Sequence, residues 1–162
     1  TPLYSSAASD VYKRQNMFSA FGYFEDENDD LEVLRRVHRA LRPGGKFLID
    51  LINRDSVMAR FAPVAVVREE EGVLVLERRD FDPLTGINHS TVHVFKNGER
   101  RDHHLTCRLF NLTEINWFLT RAGLRFLRAY GSYEGEELDR LSHRLLAVSE
   151  RPPDADEHST AT

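Results

Sequence analysis

The chain has 162 residues, of which 41% are hydrophobic and 30% charged, and this suits one soluble globular domain with a sizeable core. A formal net charge of −4 without a basic stripe argues against a nucleic-acid partner, and no apolar run approaches membrane-spanning length, so no membrane partner is expected. The single cysteine, Cys107, excludes an internal disulfide framework and fits the reducing cytoplasm, where we predict the protein to act.

The first fifteen residues differ from the rest of the chain. They are small and polar and then basic, without an amphipathic period. Residues 5–15, SSAASDVYKRQ, resemble the in-frame translation of a sequencing-library adapter, and such a segment is not expected to take part in the fold. The alternative is a natural flexible N-terminus. We predict that residues 1–15 are disordered and contribute nothing to the core. On the adapter hypothesis the native sequence begins at Asn16 and is truncated.

Residues 16–24, NMFSAFGYF, are apolar and aromatic. We expect them to end a parallel strand and enter a loop at its carboxyl edge, where open α/β sheets bind ligands. Ser19 and Gly22 would let the backbone approach a ligand closely. Two alternatives stay open for Phe18, Phe21 and Tyr23, a pocket wall or packing beneath a helix. For Phe24 we predict packing.

A helix, a sharp stop and a buried strand are predicted over residues 29–53. Apolar residues recur at three- and four-residue steps on one helical face: Val33, Leu34, Val37, Ala40 and Leu41. Asp29 or Asp30 is expected to cap the helix, and Pro43 to end it at Arg42. The acidic run 25–30 is a solvated loop and cap in preference to a metal site. Residues 46–52 are almost all apolar, as in a strand covered on both faces.

After this strand, Asn53 and Arg54 lie at a second carboxyl edge, where they either face a substrate or form a turn and helix cap. A short helix is expected over residues 57–61. From Pro63 the period changes to two, which predicts four antiparallel strands over residues 64–71, 73–80, 87–96 and 99–110. A proline–glycine turn at 82–86 and a two-residue Asn97-Gly98 hairpin connect them.

The hairpin fixes the pairing of its two strands, so His93 is predicted to face Asp102 and Thr91 to face His104. His89, His93 and His104 then share one face, which invites a zinc hypothesis. Their spacing matches no known motif, so a solvated sheet face with a His93–Asp102 pair is preferred. Cys107 lies on the opposite face, as a small core residue and not a nucleophile.

Residues 111–122 form a helix that opens on a capping box, Asn111 to Glu114, and ends at Gly123. Strands are predicted over residues 124–130, which end at Tyr130, and over 144–149. The tail at 151–162, RPPDADEHSTAT, is predicted to be disordered.

Three stretches together resemble one family. LRRVHRALRPGGKFLIDL, with MFSAFGYFED before it and NLTEINWFLTRAGL after it, is similar to the class I S-adenosylmethionine-dependent methyltransferases that act on small molecules. The resemblance covers roughly residues 16–150. It implies an α/β fold: a partial Rossmann-like methyltransferase sheet, from the end of the fourth strand to the seventh strand, with an antiparallel β-meander inserted at 63–110.

The resemblance also implies a function. S-adenosylmethionine would be the cofactor and a small-molecule methyl acceptor the substrate, with a possible homodimer formed through the antiparallel insertion. Cofactor-contacting candidates are Asn16, Met17 and Phe18. Substrate-contacting candidates are Ser19, Phe21, Tyr23, Asn53, Arg54 and Tyr130. Because the sulfonium is already activated, no catalytic acid–base dyad is expected.

The family's glycine-rich cofactor loop is not found, since Gly44-Gly45 follows a helix and precedes a strand. We therefore expect a truncated methyltransferase, active in its full-length form and inactive as this fragment. The alternative is a non-catalytic binding or dimerisation module built on the insertion. The rear half of a nicotinamide-dependent dehydrogenase fits the strand pattern less well.

Overall fold

A computed structural model describes residues 11–16, 21–24 and 26–153, with side chains from residue 15 onward. In chain order the elements are β1 (Val11–Asn16), α1 (Glu27–Ala40), β2 (Leu41–Ile52), α2 (Arg54–Ala59), β3 (Val64–Glu70), β4 (Val73–Phe81), β5 (Ile87–Lys96), β6 (Glu99–Arg108), α3 (Leu112–Arg121), β7 (Arg125–Tyr130) and β8 (Arg144–Glu150). None of these helices is long and apolar enough to cross a membrane.

The strands form two sheets, which we call the main sheet and the meander. The main sheet has the order β1-β2-β8-β7, in which β1 runs parallel to β2 while β8 runs antiparallel to both of its neighbours. The meander has the order β3-β4-β5-β6 and is antiparallel throughout. This confirms the predicted α/β architecture with an antiparallel insertion.

Strand β1 corrects one expectation. Residues 11–15, predicted to be disordered, pair with β2 as an edge strand, with Gln15 opposite Leu48 and Asn16 opposite Ile49. The pairing uses backbone N–H and C=O groups, and every residue except proline supplies both. The absence of an amphipathic side-chain pattern in residues 11–15 therefore did not prevent strand pairing. The adapter origin of the segment stays a prediction, and residues 1–10 lie outside the described ranges.

Helix α1 begins and ends slightly earlier than predicted. Its cap is Asp26, whose carboxylate accepts from the backbone N–H of Asn28 at 2.9 Å, so Asp29 and Asp30 lie within the first turn. The chain is already extended at Leu41, with φ −83° and ψ 140°. The predicted stop at Pro43-Gly44-Gly45 is therefore inside β2.

The end of the main sheet corrects the prediction for the tail. Gly44 donates to the carbonyl of Arg151 at 2.8 Å, and Arg151 donates back to Gly45 at 2.9 Å. The Arg151 guanidinium also donates to the carbonyl of Leu41 at 2.9 Å. Arg151 thus continues the pairing of β8 with β2, while residues 154–162 are not described.

The core lies between the main sheet and the helices α1 and α3. The sheet contributes one face of β2 and of β8, including Phe47, Ile49 and Leu145, all at most 1% exposed. The capping box of α3 is present as predicted, with Asn111 and Glu114 bonded reciprocally at 3.0 Å. It starts the helix that packs its buried Ile115, Phe118 and Leu119 into this core.

The hairpin of the meander also forms as predicted. Asn97 adopts φ 53° and Gly98 φ 79°, the left-handed pair that a two-residue turn requires. His93 faces Asp102 and Thr91 faces His104. The end of β6 joins the meander to the rest of the molecule, because Arg108 donates from its backbone to the carbonyl of Gly22 at 2.7 Å.

Candidate functional site

Three strands of the main sheet, β1, β2 and β7, run in the same direction, so their carboxyl ends lie at one end of the sheet, which we call the carboxyl edge. β1 is parallel to β2, and β7 has the direction of β2 because both are antiparallel to β8. Their last residues and the positions that follow include Asn16, Asn53 and Tyr130. Open α/β sheets bind ligands at such an edge. The fold therefore brings together the strand ends from which the candidate residues were predicted.

Asn16 lies at the end of β1 and is partly buried. Its side-chain oxygen Oδ1 is shielded from solvent and has no hydrogen-bond partner among the described residues. A buried acceptor of this kind is rare in folded proteins and fits a site that a ligand completes. Met17, Phe18 and Ser19, the neighbouring candidates, lie outside the described residues.

The loop that follows separates Phe21 from Tyr23. Phe21 is 3% exposed and packs against Phe110 with ring centroids 5.3 Å apart, so it belongs to the core, which favours the packing alternative. Tyr23 is 55% exposed and remains available. Phe24 is 49% exposed, which corrects the expectation that it packs beneath the helix.

Gly22 fixes the position of this loop. Its φ is +90°, and a Cβ there would lie 2.6 Å from the carbonyl oxygen of Arg108, so only glycine fits. Its N–H donates to Oδ1 of Asp30 at 3.1 Å. Burial raises the pKa of Asp30 to about 6, although the Gly22 N–H and the nearby Arg108 oppose the rise. Asp30 thus anchors the loop to the first turn of α1.

Asn53 has a structural role at the end of β2. Its Oδ1 accepts from the N–H of Asp55 at 3.1 Å and so caps α2. Its Nδ2 donates to the carbonyls of Asp139 and Ser142 at 3.1 and 3.0 Å. These three bonds engage both N–H donors and the oxygen of the amide, which favours a turn and helix cap over a substrate contact.

Arg54 is similarly engaged, because its guanidinium pairs with the carboxylate of Glu114 at 2.6 Å. Glu114 belongs to the capping box of α3, so the ion pair fastens α2 to α3. The Arg54 side chain is 21% exposed. Contact of either Asn53 or Arg54 with a substrate stays a prediction.

A buried carboxylate near the end of β2 was missed by the sequence analysis. Asp50 is fully buried, and its Oδ2 accepts from the Tyr133 hydroxyl at 2.6 Å. Its Oδ1 accepts from Nε of Arg144 at 2.8 Å and from Nη2 of the same guanidinium. The hydrogen bond to Asp50 raises the pKa of Tyr133. A carboxylate inside the apolar run KFLIDLI was the available signal, because such a group requires a partner.

Tyr130 lies on the same face of the main sheet as Asp50. It is opposite Leu146 on β8, and Leu146 is opposite Asp50 on β2. The guanidinium of Arg128 lies 5.5 Å from the centroid of the Tyr130 ring. Tyr133 is 55% exposed, so Tyr130 and Tyr133 present two aromatic side chains at the carboxyl edge.

The meander approaches this edge through the end of β6. A gap of about 20 Å³ separates them, which is room for a water molecule and no more. Its lining includes Tyr23, Ile52 and Cys107. Burial raises the pKa of the Cys107 thiol, so a thiolate nucleophile is disfavoured there.

Each of the three candidate zinc-binding histidines has a protein partner. His93 Nδ1 lies 2.8 Å from Asp102 Oδ1, which confirms the predicted pair. His89 Nδ1 lies 3.2 Å from the hydroxyl of Thr106, and His104 Nδ1 lies 3.2 Å from that of Thr91. Within the described ranges, no group of three His, Cys, Asp or Glu side chains is arranged to hold a metal ion.

No protein-family model matches the chain, and no curated protein sequence matches it. Several solved structures, however, match the fold of the chain. The CcbJ methyltransferase from Streptomyces caelestis is 21% identical with a TM-score of 0.77, over 93% of this chain and 63% of that one. An S-adenosylmethionine-dependent methyltransferase from Clostridium acetobutylicum is 14% identical with a TM-score of 0.76, over 92% and 61%.

The sugar N-methyltransferase KedS8 from Streptoalloteichus is 18% identical with a TM-score of 0.62, over 94% of this chain and 61% of its own length. The chain therefore has the fold of S-adenosylmethionine-dependent methyltransferases, as its sequence predicted. It spans about three-fifths of the length of the structures that it matches.

Proposed function

We propose that this chain is part of a methyltransferase that uses S-adenosylmethionine to methylate a small molecule, and that it supplies the acceptor side of the active site. The observation that carries the proposal is the carboxyl edge of the main sheet. There Asn16 ends β1 with an acceptor oxygen that has no partner among the described residues. Tyr130 ends β7 at the same edge, and the exposed Tyr133 follows it. A similar fold occurs in CalS10, named an amino pentose methyltransferase, which was solved with S-adenosylmethionine bound.

The residues present fit one wall of a cofactor site. The unpaired Oδ1 of Asn16 would accept a hydrogen bond from the cofactor, with Met17 and Phe18 following in the chain. When bound, the cofactor supplies an activated methyl group on its sulfonium. The chain would then have to align the acceptor with that methyl group and exclude water, without a proton-transferring dyad.

The acceptor would lie over the carboxyl edge of the main sheet, and not in the gap to the meander, which holds one water molecule. We propose that Tyr23 and Tyr130, together with Tyr133, contact it through their rings, as aromatic side chains give area and shape at little entropic cost. Ser19 belongs to the same loop as Tyr23. Asn53 and Arg54 contribute indirectly by holding α2, α3 and the 139–142 loop in place.

Nuclear magnetic resonance of the ¹⁵N-labelled chain tests the proposal, because it detects weak ligands and locates them. S-adenosylhomocysteine is expected to shift the signals of Asn16 and of the ends of β2 and β7. Asn16→Ala should reduce these shifts, whereas Asn116→Ala on the exposed side of α3 should not. Shifts confined to another part of the chain, or none at saturating ligand, would refute the cofactor assignment.

A non-catalytic dimerisation or binding module is the second candidate, favoured by exposed apolar residues on the edge strand β3. Val64, Val66 and Val67 are 61%, 60% and 57% exposed. Such an edge attracts pairing with another chain. Light scattering coupled to gel filtration would show a dimer that Val66→Asp disperses. A dimer that gives no response to S-adenosylhomocysteine would favour this candidate over the enzyme.

A further inference from the structure

A cleft of about 390 Å³ opens between the start of α1 and the turn that joins β4 to β5. Small-molecule sites have volumes of roughly 300–1,000 Å³, so this cleft is large enough for an organic ligand. Phe24 and Leu84 line it and are 49% and 92% exposed, so it offers two large apolar side chains to such a ligand. The lining also contains four charged side chains, those of Asp26, Glu27, Asp30 and Arg108.

Asp30 forms a buried part of this lining. It is 1% exposed, and the N–H of Gly22 donates to its Oδ1 at 3.1 Å. No second hydrogen bond reaches this carboxylate from the described residues, so its Oδ2 has no donor. Burial raises the pKa of Asp30 to about 6, and the group is therefore ionised at neutral pH. A ligand with a hydrogen-bond donor would satisfy this oxygen from within the cleft.

The charges around the cleft do not balance. The guanidinium of Arg108 donates from Nη1 to Glu27 at 2.6 Å, and the two form an ion pair. Asp26 caps α1 by accepting from the backbone and the side chain of Asn28, both neutral donors. Among the described residues, neither Asp26 nor Asp30 forms a salt bridge. The lining therefore has excess negative charge, which attracts a cation and disfavours an anion.

We propose that this cleft binds an organic cation that carries an ammonium group on an apolar skeleton. The ammonium group would donate to Oδ2 of Asp30, and the skeleton would lie between Phe24 and Leu84. The half-exposed ring of Phe24 adds to the preference, because the face of an aromatic ring attracts positive charge. A metal ion is a poorer occupant, since the described residues include no group of three His, Cys, Asp or Glu side chains placed to hold one.

This site goes beyond the proposed function, because it uses none of the residues assigned to the cofactor or to the methyl acceptor. Benzylammonium chloride and benzyl alcohol are matched probes for it, since they share a ring and differ in charge. In ¹⁵N spectra near neutral pH, benzylammonium is expected to shift the signals of Gly22, Phe24 and Thr85 saturably. Benzyl alcohol should bind about tenfold more weakly, because it lacks the charge interaction with the lining.

Asp30→Asn removes the charge but keeps an oxygen for the N–H of Gly22. It should weaken binding of benzylammonium about tenfold and leave binding of benzyl alcohol unchanged. Asp29→Asn is the matched control, because it removes the same charge from the same turn of α1 at an exposed position outside the lining. Solvent screens that charge, so the control should change the affinity by less than about twofold.

Asp26→Asn provides a second variant should Asp30→Asn fail to fold, because asparagine caps helices as well as aspartate does. It should also weaken binding of benzylammonium, though less, since Asp26 is exposed. Equal affinities for the two probes, an equal loss in Asp29→Asn and Asp30→Asn, or no saturable response at the cleft would each overturn the inference. Neither probe is a cofactor, so the response of Asn16 to S-adenosylhomocysteine tests the methyltransferase assignment separately.

Discussion

Replacing the buried carboxylate of Asp50 tests the account of the carboxyl edge most directly. Asp50→Asn keeps the size of the side chain but removes the charge that pairs with Arg144. The Arg144 side chain is 19% exposed, so water relieves the stranded guanidinium only in part. Breaking a buried pair costs about 3–5 kcal/mol, and this partial exposure places the expected loss near about 3 kcal/mol. For a chain of this length, that corresponds to a fall in Tm of about 6–12 °C.

Urea unfolding followed by the fluorescence of the single tryptophan, Trp117, measures this loss. Asp80→Asn, at an exposed position on β4, is the matched control and should change stability by no more than about 0.5 kcal/mol. Tyr133→Phe should destabilise the protein less than Asp50→Asn, because it removes one of the bonds to the carboxylate. An Asp50→Asn variant as stable as the control would show that the cluster does not hold the edge together.

A double-mutant cycle separates the bond from other effects of the two changes. Combining Asp50→Asn with Tyr133→Phe should cost less than the sum of the single losses, because both changes break the same hydrogen bond. Additive losses would mean that Asp50 and Tyr133 act independently.

Three further outcomes are expected. The pKa of Asp30 in the folded protein is about 6, above its ordinary value of 3.8, so between these two pH values the folded state binds more protons than the unfolded state. The free energy of unfolding should therefore fall as pH rises from 4 to 6, by up to about 3 kcal/mol relative to Asp30→Asn, measured by urea unfolding of both proteins in parallel. Calorimetric titration of this chain with S-adenosylhomocysteine should show weak binding, because one wall cannot enclose a ligand; tight stoichiometric binding would contradict that reasoning. Deletion of residues 1–15 should lower Tm, because it removes the ladder along β2, and an unchanged melting curve would show that β1 adds no stability.

Features set by near neighbours in the chain were predictable. The capping box needs only Asn111 and Glu114, three residues apart, and the facing of His93 and Asp102 follows from a two-residue turn. The change of period at Pro63 likewise marked the start of the meander. Edge strand β1 was not predictable, because its pairing depends on the free backbone of β2 and not on its own side-chain pattern.

Features set by distant residues could not be predicted in the same way. Tyr133 and Arg144 lie 83 and 94 residues from Asp50 in sequence, and the carbonyls that bind Asn53 are 86 and 89 residues from it. The position of a residue directly after a predicted strand was therefore enough to place it at the carboxyl edge. It was not enough to show whether its side chain makes hydrogen bonds within the protein. That distinction depends on tertiary contacts.

Three asparagines illustrate how those contacts separate support from recognition. Asn53 lies at the predicted edge, yet its amide makes three hydrogen bonds within the protein, which engage both of its N–H donors. Asn16 and Asn88 each keep an oxygen that is shielded and has no partner in the ranges that the structure describes. A buried acceptor without a partner costs free energy that a saturated one does not, and a bound donor recovers it. Asn16 at the end of β1 and Asn88 on the meander are therefore positions where a bound hydrogen-bond donor would recover that free energy.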